Sequence, residues 1–257
     1  MRELHTSADV AAASPDALVR WAAQALSTGG RAWAHGDAVG VHAPGLNRHD
    51  RLVLAGSTQD VAVILADQLH AHGPSLRPLV DDELSADLLV ALPDLVVRAT
   101  FGWMEREEPS AAPVGVRWLR EHELDDAEAL LRKANPGTYS WPGERGSRRW
   151  AGIHVDGALS AVGADAWSSE HVGFIAGVAT HPDHRGRGLS TTLCSFLVHH
   201  LLNERPACAL MVDEGNAGAI AVYRKLGFRY RDVTVLVPSD VARSLPQRDR
   251  SQASSPT

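Results

Sequence analysis

Apolar residues recur along this chain in two rhythms. Short apolar runs bounded by Gly, Pro, Asn or Asp read as strands. Stretches with an apolar residue every three or four positions read as helices. In the first half, Ser14-Pro-Asp opens a helix with an N-cap and a proline in its first turn, and Gly29-Gly30 ends it. Residues 51–55 form a short strand, and Ser57-Thr-Gln-Asp60 is a capping box opening the next helix. Residues 76–80 and 94–101 read as strands with a helix at 82–92 between them. In the second half, 116–119 is a strand and 125–133 a helix ended by Asn135-Pro-Gly137. Residues 150–155 and 159–167 form a hairpin around the turn dipeptide Asp156-Gly157. A strand at 171–179, a helix at 190–204, a strand at 208–212, a helix after Asn216 and a strand at 230–237 complete the pattern. Leu189, Leu193, Phe196, Leu197 and Leu201 repeat at helical spacing and should face a sheet.

The two halves meet at residues 107–113, a Pro/Ala/Glu stretch that reads as a linker. This gives an α/β domain at 1–106, a second domain at 114–238, and a Ser/Arg/Gln/Pro-rich tail at 239–257 expected to be disordered. Of the 257 residues, 44% are hydrophobic and 22% charged, the balance of a folded globular chain. A net charge of −6 gives no basic field for nucleic acid. Cys194 and Cys208 are too few for a disulfide framework or a zinc site, and fall at positions expected to be buried. The 13 histidines are scattered, with no His-x3-His helix pair, so no metal is expected. The start has no apolar leader segment and no run reaches the ~18–20 apolar residues of a membrane span. A cytoplasmic protein without a membrane or nucleic-acid partner is therefore expected. A homodimer is left open.

The candidate chemistry lies after the strand at 171–179. Pro182 stops the strand, a Gly-rich basic turn follows, and a helix begins near Ser190. Strand, Gly-rich loop and helix N-terminus together make an anion site, to which Arg185 and Arg187 add full charges. Neither a P-loop nor a Gly-x-Gly-x-x-Gly fingerprint is present. What stands here is Val178-x-Thr180-x-Pro182 followed by Arg185-x-x-Gly188-x-Ser190. This resembles the pyrophosphate loop of the GNAT superfamily of acyl-CoA-dependent N-acyltransferases, with Ser190 in place of the final Gly or Ala. Downstream, Asn216-x-x-Ala219-x-x-x-Tyr223-x-x-x-Gly227-Phe228 resembles a second motif of that family. Asn216 and Tyr223 are two helical turns apart and share a face. Read as lone residues, Asn216 is a good N-cap and Tyr223 a core aromatic.

The resemblance covers residues 114–238. It implies a GNAT fold, a mixed and mainly antiparallel sheet flanked by helices, preceded by a smaller α/β domain that could be a degenerate GNAT-like half. It implies acetyl-CoA as co-substrate, with no metal. Val178, Ala179 and Thr180 would bind the pantetheine arm, Gly186, Arg187, Gly188, Leu189 and Ser190 with Arg185 the pyrophosphate, and Asn216 the groove beside it. Tyr223 would protonate the leaving thiolate. The family's strand-four glutamate is absent: the strand is apolar around Phe174, so Glu170, His171 and Asp165 are the candidate bases, with a water relay as the alternative. The implied reaction is acetyl transfer to a primary amine of a small or amino-acid-like molecule. A protein lysine or N-terminal acetyltransferase, a non-catalytic acyl-CoA-binding regulator, and a phosphate-binding module unrelated to CoA stay open.

Overall fold

A computed structural model of the chain describes residues 1–244. In chain order its elements are β1 (Arg2–Leu4), α1 (Ser7–Ala13), α2 (Ala17–Ala22), β2 (Arg31–His35), β3 (Ala38–Leu46), β4 (His49–Ala55), α3 (Thr58–His72), β5 (Arg77–Asp81), α4 (Asp82–Ala91) and β6 (Leu95–Arg106). Then follow β7 (Arg117–Trp118), α5 (Leu124–Ala134), β8 (Ser147–Val155), β9 (Ala158–Ala166), β10 (Val172–Thr180), α6 (Leu189–Glu204), β11 (Ala207–Val212), α7 (Ala217–Lys225), β12 (Arg229–Pro238) and α8 (Ser239–Ser244).

The chain forms two compact units. The first holds Met1–Trp103, Val212–Asn216 and the described residues from Tyr230 onward; the second holds Met104–Met211 and Ala217–Arg229. In the first unit the strand order is β1-β2-β3-β4-β5-β12-β6. The pairs β1–β2, β2–β3 and β3–β4 are antiparallel, β4–β5 is parallel, and β12 joins β5 antiparallel with Val233 opposite Asp81. In the second unit the order is β11-β10-β9-β8-β7, antiparallel except for the parallel pair β10–β11. The two units thus repeat one plan: a run of antiparallel strands, a crossover helix (α3 or α6), and a parallel strand. Each crossover helix buries one face: Val61, Ile64 and Leu65 on α3, and Leu193, Leu197 and Leu201 on α6, are fully buried. Phe196 is also buried, whereas Leu189 at the helix start is only partly covered.

Several sequence expectations change. The helix expected from Ser14 is capped by Asp16, whose side chain accepts from the Leu18 and Val19 amides. The hairpin β2–β3 and helix α1 were not expected; α1 opens on a Thr6/Asp9 capping box. Helix α3 starts after Ser57 as expected, but the box of Ser57 and Asp60 does not form, because Ser57 gives no cap hydrogen bond. The strand at 230–237 was assigned to the second domain, yet β12 completes the sheet of the first unit. Residues 107–113 carry no regular element, but they are tied down: the Arg106 guanidinium donates to the Pro109 carbonyl at 3.0 Å, and His199 Nδ1 lies 2.6 Å from the Ser110 carbonyl. Of the tail expected to be disordered, 239–244 is helix α8 with Val241 buried; residues 245–257 lie outside the described residues. Both cysteines are buried and free, as expected.

Candidate active site

Strand β10 is paired on both sides at its start and only with β9 at its end. Its parallel ladder with β11 runs from Val172↔Ala207 to Ile175↔Leu210 and stops, while β10 continues to Thr180. On the other side, the register with β9 shifts between Ala176 and Ala179. A bulge of this kind bends the strand and re-aims its side chains, and pairing with β9 resumes at Ala179 and Thr180. Gly177 sits in it at φ +62, and a Cβ there would lie 2.5 Å from the Trp150 ring, so the bulge requires glycine. The Val178 carbonyl accepts from Asn135 Nδ2 at 3.2 Å. Ala179 is buried, and the Thr180 hydroxyl is buried with no partner among the described residues.

The loop that follows is fixed at its start and open at its end. The His181 amide donates to the Ser160 carbonyl at 2.8 Å, and 182–184 form one 3-10 turn. Arg185 reaches the Ala134 carbonyl at 3.5 Å. Arg185, Gly186, Arg187 and Gly188 are all exposed. Gly186 and Gly188 have φ +74 and +77, and a Cβ on either would meet nothing within 4 Å. Gly188 is the N-cap of α6 and supplies no side chain, so the first amides of this 16-residue helix, at Leu189 and Ser190, have no side-chain cap. Helix dipole, uncapped amides, two nearby guanidiniums and empty space are what a phosphate group needs.

The remaining candidates scatter. Tyr223 is buried on α7 beside Phe228, their ring centroids 5.9 Å apart. Its hydroxyl bonds to the Cys194 thiol of α6. Burial first, and then that thiol, push the phenol well above its usual pKa of 10. Burial likewise pushes Cys194 up to about 12. Asn216 directly precedes α7 and falls with the first unit; its amide donates to the Asp213 carbonyl at 2.9 Å. Asp165 is fully buried, 3.2 Å from Arg149 Nε and 3.9 Å from Arg205 Nη2, and accepts from the Ser168 hydroxyl. Glu170 lines a shallow cavity with Arg148, Ser168, Ser169, Glu204 and Arg205. His171 follows it, immediately before β10. Both stand at the opposite end of β10 from Thr180, roughly 30 Å away along an extended strand.

Three residues of this region were missed in the sequence. Lys133 and Asn135 both lie at the end of α5 against β10 and its loop, and Gly177 makes the bulge. Asn135 had been read only as part of a helix stop. The glycine inside a strand pattern was the one local signal available for the bulge. Among the described residues no group of three or more His, Cys, Asp or Glu could hold a metal, and no helix is long and apolar enough to cross a membrane.

Residues 103–228 match the model of the Acetyltransferase (GNAT) family. This segment belongs to that family. The mycothiol acetyltransferases of Thermobifida fusca and Thermomonospora curvata are 28% and 30% identical to the chain over 228 and 225 residues, which cover 83% and 81% of it and 66% and 63% of them. The chain spans about two thirds of the length of these curated relatives. The solved structure of a GCN5-related N-acetyltransferase from Kribbella flavida superposes with a TM-score of 0.54 at 20% identity, covering 84% of this chain and 91% of that one. It shares the fold, the mixed and mainly antiparallel sheet flanked by helices.

Proposed function

We propose that the chain transfers the acetyl group of acetyl-CoA to a primary amine of a small, amino-acid-like molecule, one related to mycothiol as the relatives' name suggests. The observation that carries this reading is the start of α6: two exposed left-handed glycines with free space above them, in the loop that follows the end of β10 no longer paired with β11. The amides of Gly186 to Ser190, with Arg185 and Arg187, would hold the pyrophosphate, and Asn216 would line the groove beside the pantetheine arm. The arm would run along Val178, Ala179 and Thr180, where the orphan Thr180 hydroxyl gains a partner and Asn135 yields the Val178 carbonyl or stays as part of the wall. Acetyl-CoA supplies an activated acyl carbon. The chain has to orient it, exclude water and manage protons.

On this reading Tyr223 gives a proton to the departing sulfur. Its raised pKa keeps the phenol protonated throughout the neutral range. The incoming amine loses its proton through water, because Glu170 and His171 are remote and Asp165 is committed to Arg149 and Arg205. The test is release of free thiol from acetyl-CoA, screened over small amines and peptides, beside calorimetry with acetyl-CoA. Thiol release with small amines is expected. Release only with peptides favours a protein acetyltransferase. Binding without release favours a regulatory acyl-CoA binder, and a folded protein giving no binding heat ends the CoA reading.

A further inference from the structure

The hydroxyl of Tyr223 on α7 has the Cys194 thiol of α6 as its hydrogen-bond partner. Both side chains are buried, Cys194 completely. Phe228 meets the tyrosine ring edge-on and offers it no polar group. Among the described residues, burial and this thiol are the influences on the phenol, and neither is a cation. That is a difficulty for an acid. A phenol that gives up its proton becomes a phenolate, and burial penalises the phenolate. A thiol answers the difficulty because it can both accept and donate a hydrogen bond. While the phenol keeps its proton, its O–H donates to the sulfur. Once the O–H is turned toward another acceptor, the S–H can donate to the phenol oxygen instead. Burial pushes the thiol up to about 12, so it holds its own proton while donating. A buried free cysteine is ordinarily a small apolar residue. Cys208 on β11 fits that description, since burial raises its thiol and no hydrogen bond is among the influences on it. Cys194 differs from it in having the Tyr223 hydroxyl at its sulfur.

We infer that Cys194 is a positioning residue for the acyl transfer: its thiol turns from accepting the Tyr223 hydrogen to donating its own as the phenol protonates the departing sulfur. The inference rests on the acetyl-CoA reading above. The bond between the acyl carbon and sulfur breaks with its electron pair going to sulfur, and the Tyr223 proton goes to that sulfur. The S–H of Cys194 then faces the phenolate oxygen. The proton shed by the amine returns to the phenolate through water, so Cys194 exchanges no proton in the sum.

The experiment measures kcat, KM for acetyl-CoA and melting temperature of the full chain, with the amine selected by the thiol-release screen. Cys194→Ala should lower kcat roughly ten-fold, as for loss of one weak donor to a developing charge, with KM unchanged. Cys194→Ser keeps both donor and acceptor and should return to within about three-fold of wild type. In a Tyr223→Phe background, Cys194→Ala should cost no further turnover, because the proton it serves is already gone. Cys208→Ala removes the same group from β11 and should move the melting temperature alone. Cys194→Val fills the site without a donor and should match Cys194→Ala in turnover, which covers an Ala variant that fails to fold. Wild-type kcat in the Ala and Val variants, or a loss that adds in full to that of Tyr223→Phe, overturns the positioning role and leaves Cys194 a packing residue. Full activity in Tyr223→Phe overturns it by removing the acid it serves. A folded wild type that releases no thiol from acetyl-CoA overturns the acetyl-transfer reading as well, so the two failures are told apart by the wild-type trace.

Discussion

Helices α3 and α6 hold the same place in the two units, each crossing from an antiparallel strand to its parallel neighbour, yet they begin in opposite ways. Between β4 and α3 stand only Gly56 and Ser57, and the turn is closed. A Cβ on Gly56 would lie 2.5 Å from the Ala38 Cα. The Ser57 amide and hydroxyl both donate to the Asp37 carboxylate, at 2.9 and 2.8 Å, and the Asp60 carboxylate accepts the Asp37 amide at 3.1 Å. The chain fills this positive helix end with its own carboxylates. From Arg51 through its last residue, Ala55, strand β4 also stays in register with β3. In the second unit the strand bulges, the connection lengthens, and the helix begins at a bare glycine. One topology therefore gives an internally neutralised helix start in one copy and, on the function proposed here, an anion receptor in the other. The difference lies in the connection, not in the fold.

Paired substitutions test this contrast most severely. Gly188→Val should weaken acetyl-CoA binding by roughly 100-fold or more, through backbone strain and lost phosphate contacts, with a small change in melting temperature. Gly56→Val should do the reverse, costing about 3 kcal/mol or more by collision with Ala38, with unchanged affinity in the molecules that remain folded. Calorimetry and thermal melts on both variants decide it; matching signatures would dissolve the contrast.

Asp165→Asn separates structure from chemistry within the second unit. Removing the charge between Arg149 and Arg205 should cost about 3–5 kcal/mol, seen in denaturant melts, with turnover per folded molecule retained. Normal stability with abolished turnover would restore Asp165 as the base. Tyr223→Phe should lower turnover by about 10²-fold, the lower end of general acid catalysis, with CoA affinity unchanged. Full activity would make Tyr223 a core aromatic that partners Cys194.

The smallest effect is expected at Asp37. Hydrogen bonds from the Ser57 amide and hydroxyl hold its carboxyl below the ordinary 3.8. A depressed pKa contributes stability that is complete above the unfolded value and is lost as pH falls through the lower folded one. Asp37→Asn should therefore lower the melting midpoint slightly at neutral pH and flatten its decline below about pH 4. It should create no acetyl-CoA site, since Gly56 remains shut against Ala38.

Much of the second unit was legible because its signals are local. Arg185, Gly186 and Gly188 announce the loop by spacing alone, and Asp156-Gly157 sets its hairpin, with both residues at positive φ. Strand β3 was not legible: Ala38-Val-Gly-Val-His-Ala-Pro-Gly-Leu46 has five residues of low strand propensity (two Ala, two Gly and one Pro) against two valines. The contacts of Lys133 and Asn135 were hidden for another reason, since their partners lie 48 and 43 residues away. Asp165 is ambiguous in the sequence because an acid on a strand near a candidate site looks the same whether it is free or held by two arginines brought in from β8 and the end of α6.

The place of β12 bears on how the protein is made. Its pairing partner, β5, leaves the ribosome about 150 residues earlier. At roughly 5–20 residues per second, the first sheet waits on the order of ten to thirty seconds for the strand that fills the gap between β5 and β6. During that interval the edge of β5 stands unpaired, a template for any extended segment nearby. The chain is thus committed to late closure by its own thread order, and an expression boundary cut at 107–113 would make that interval permanent.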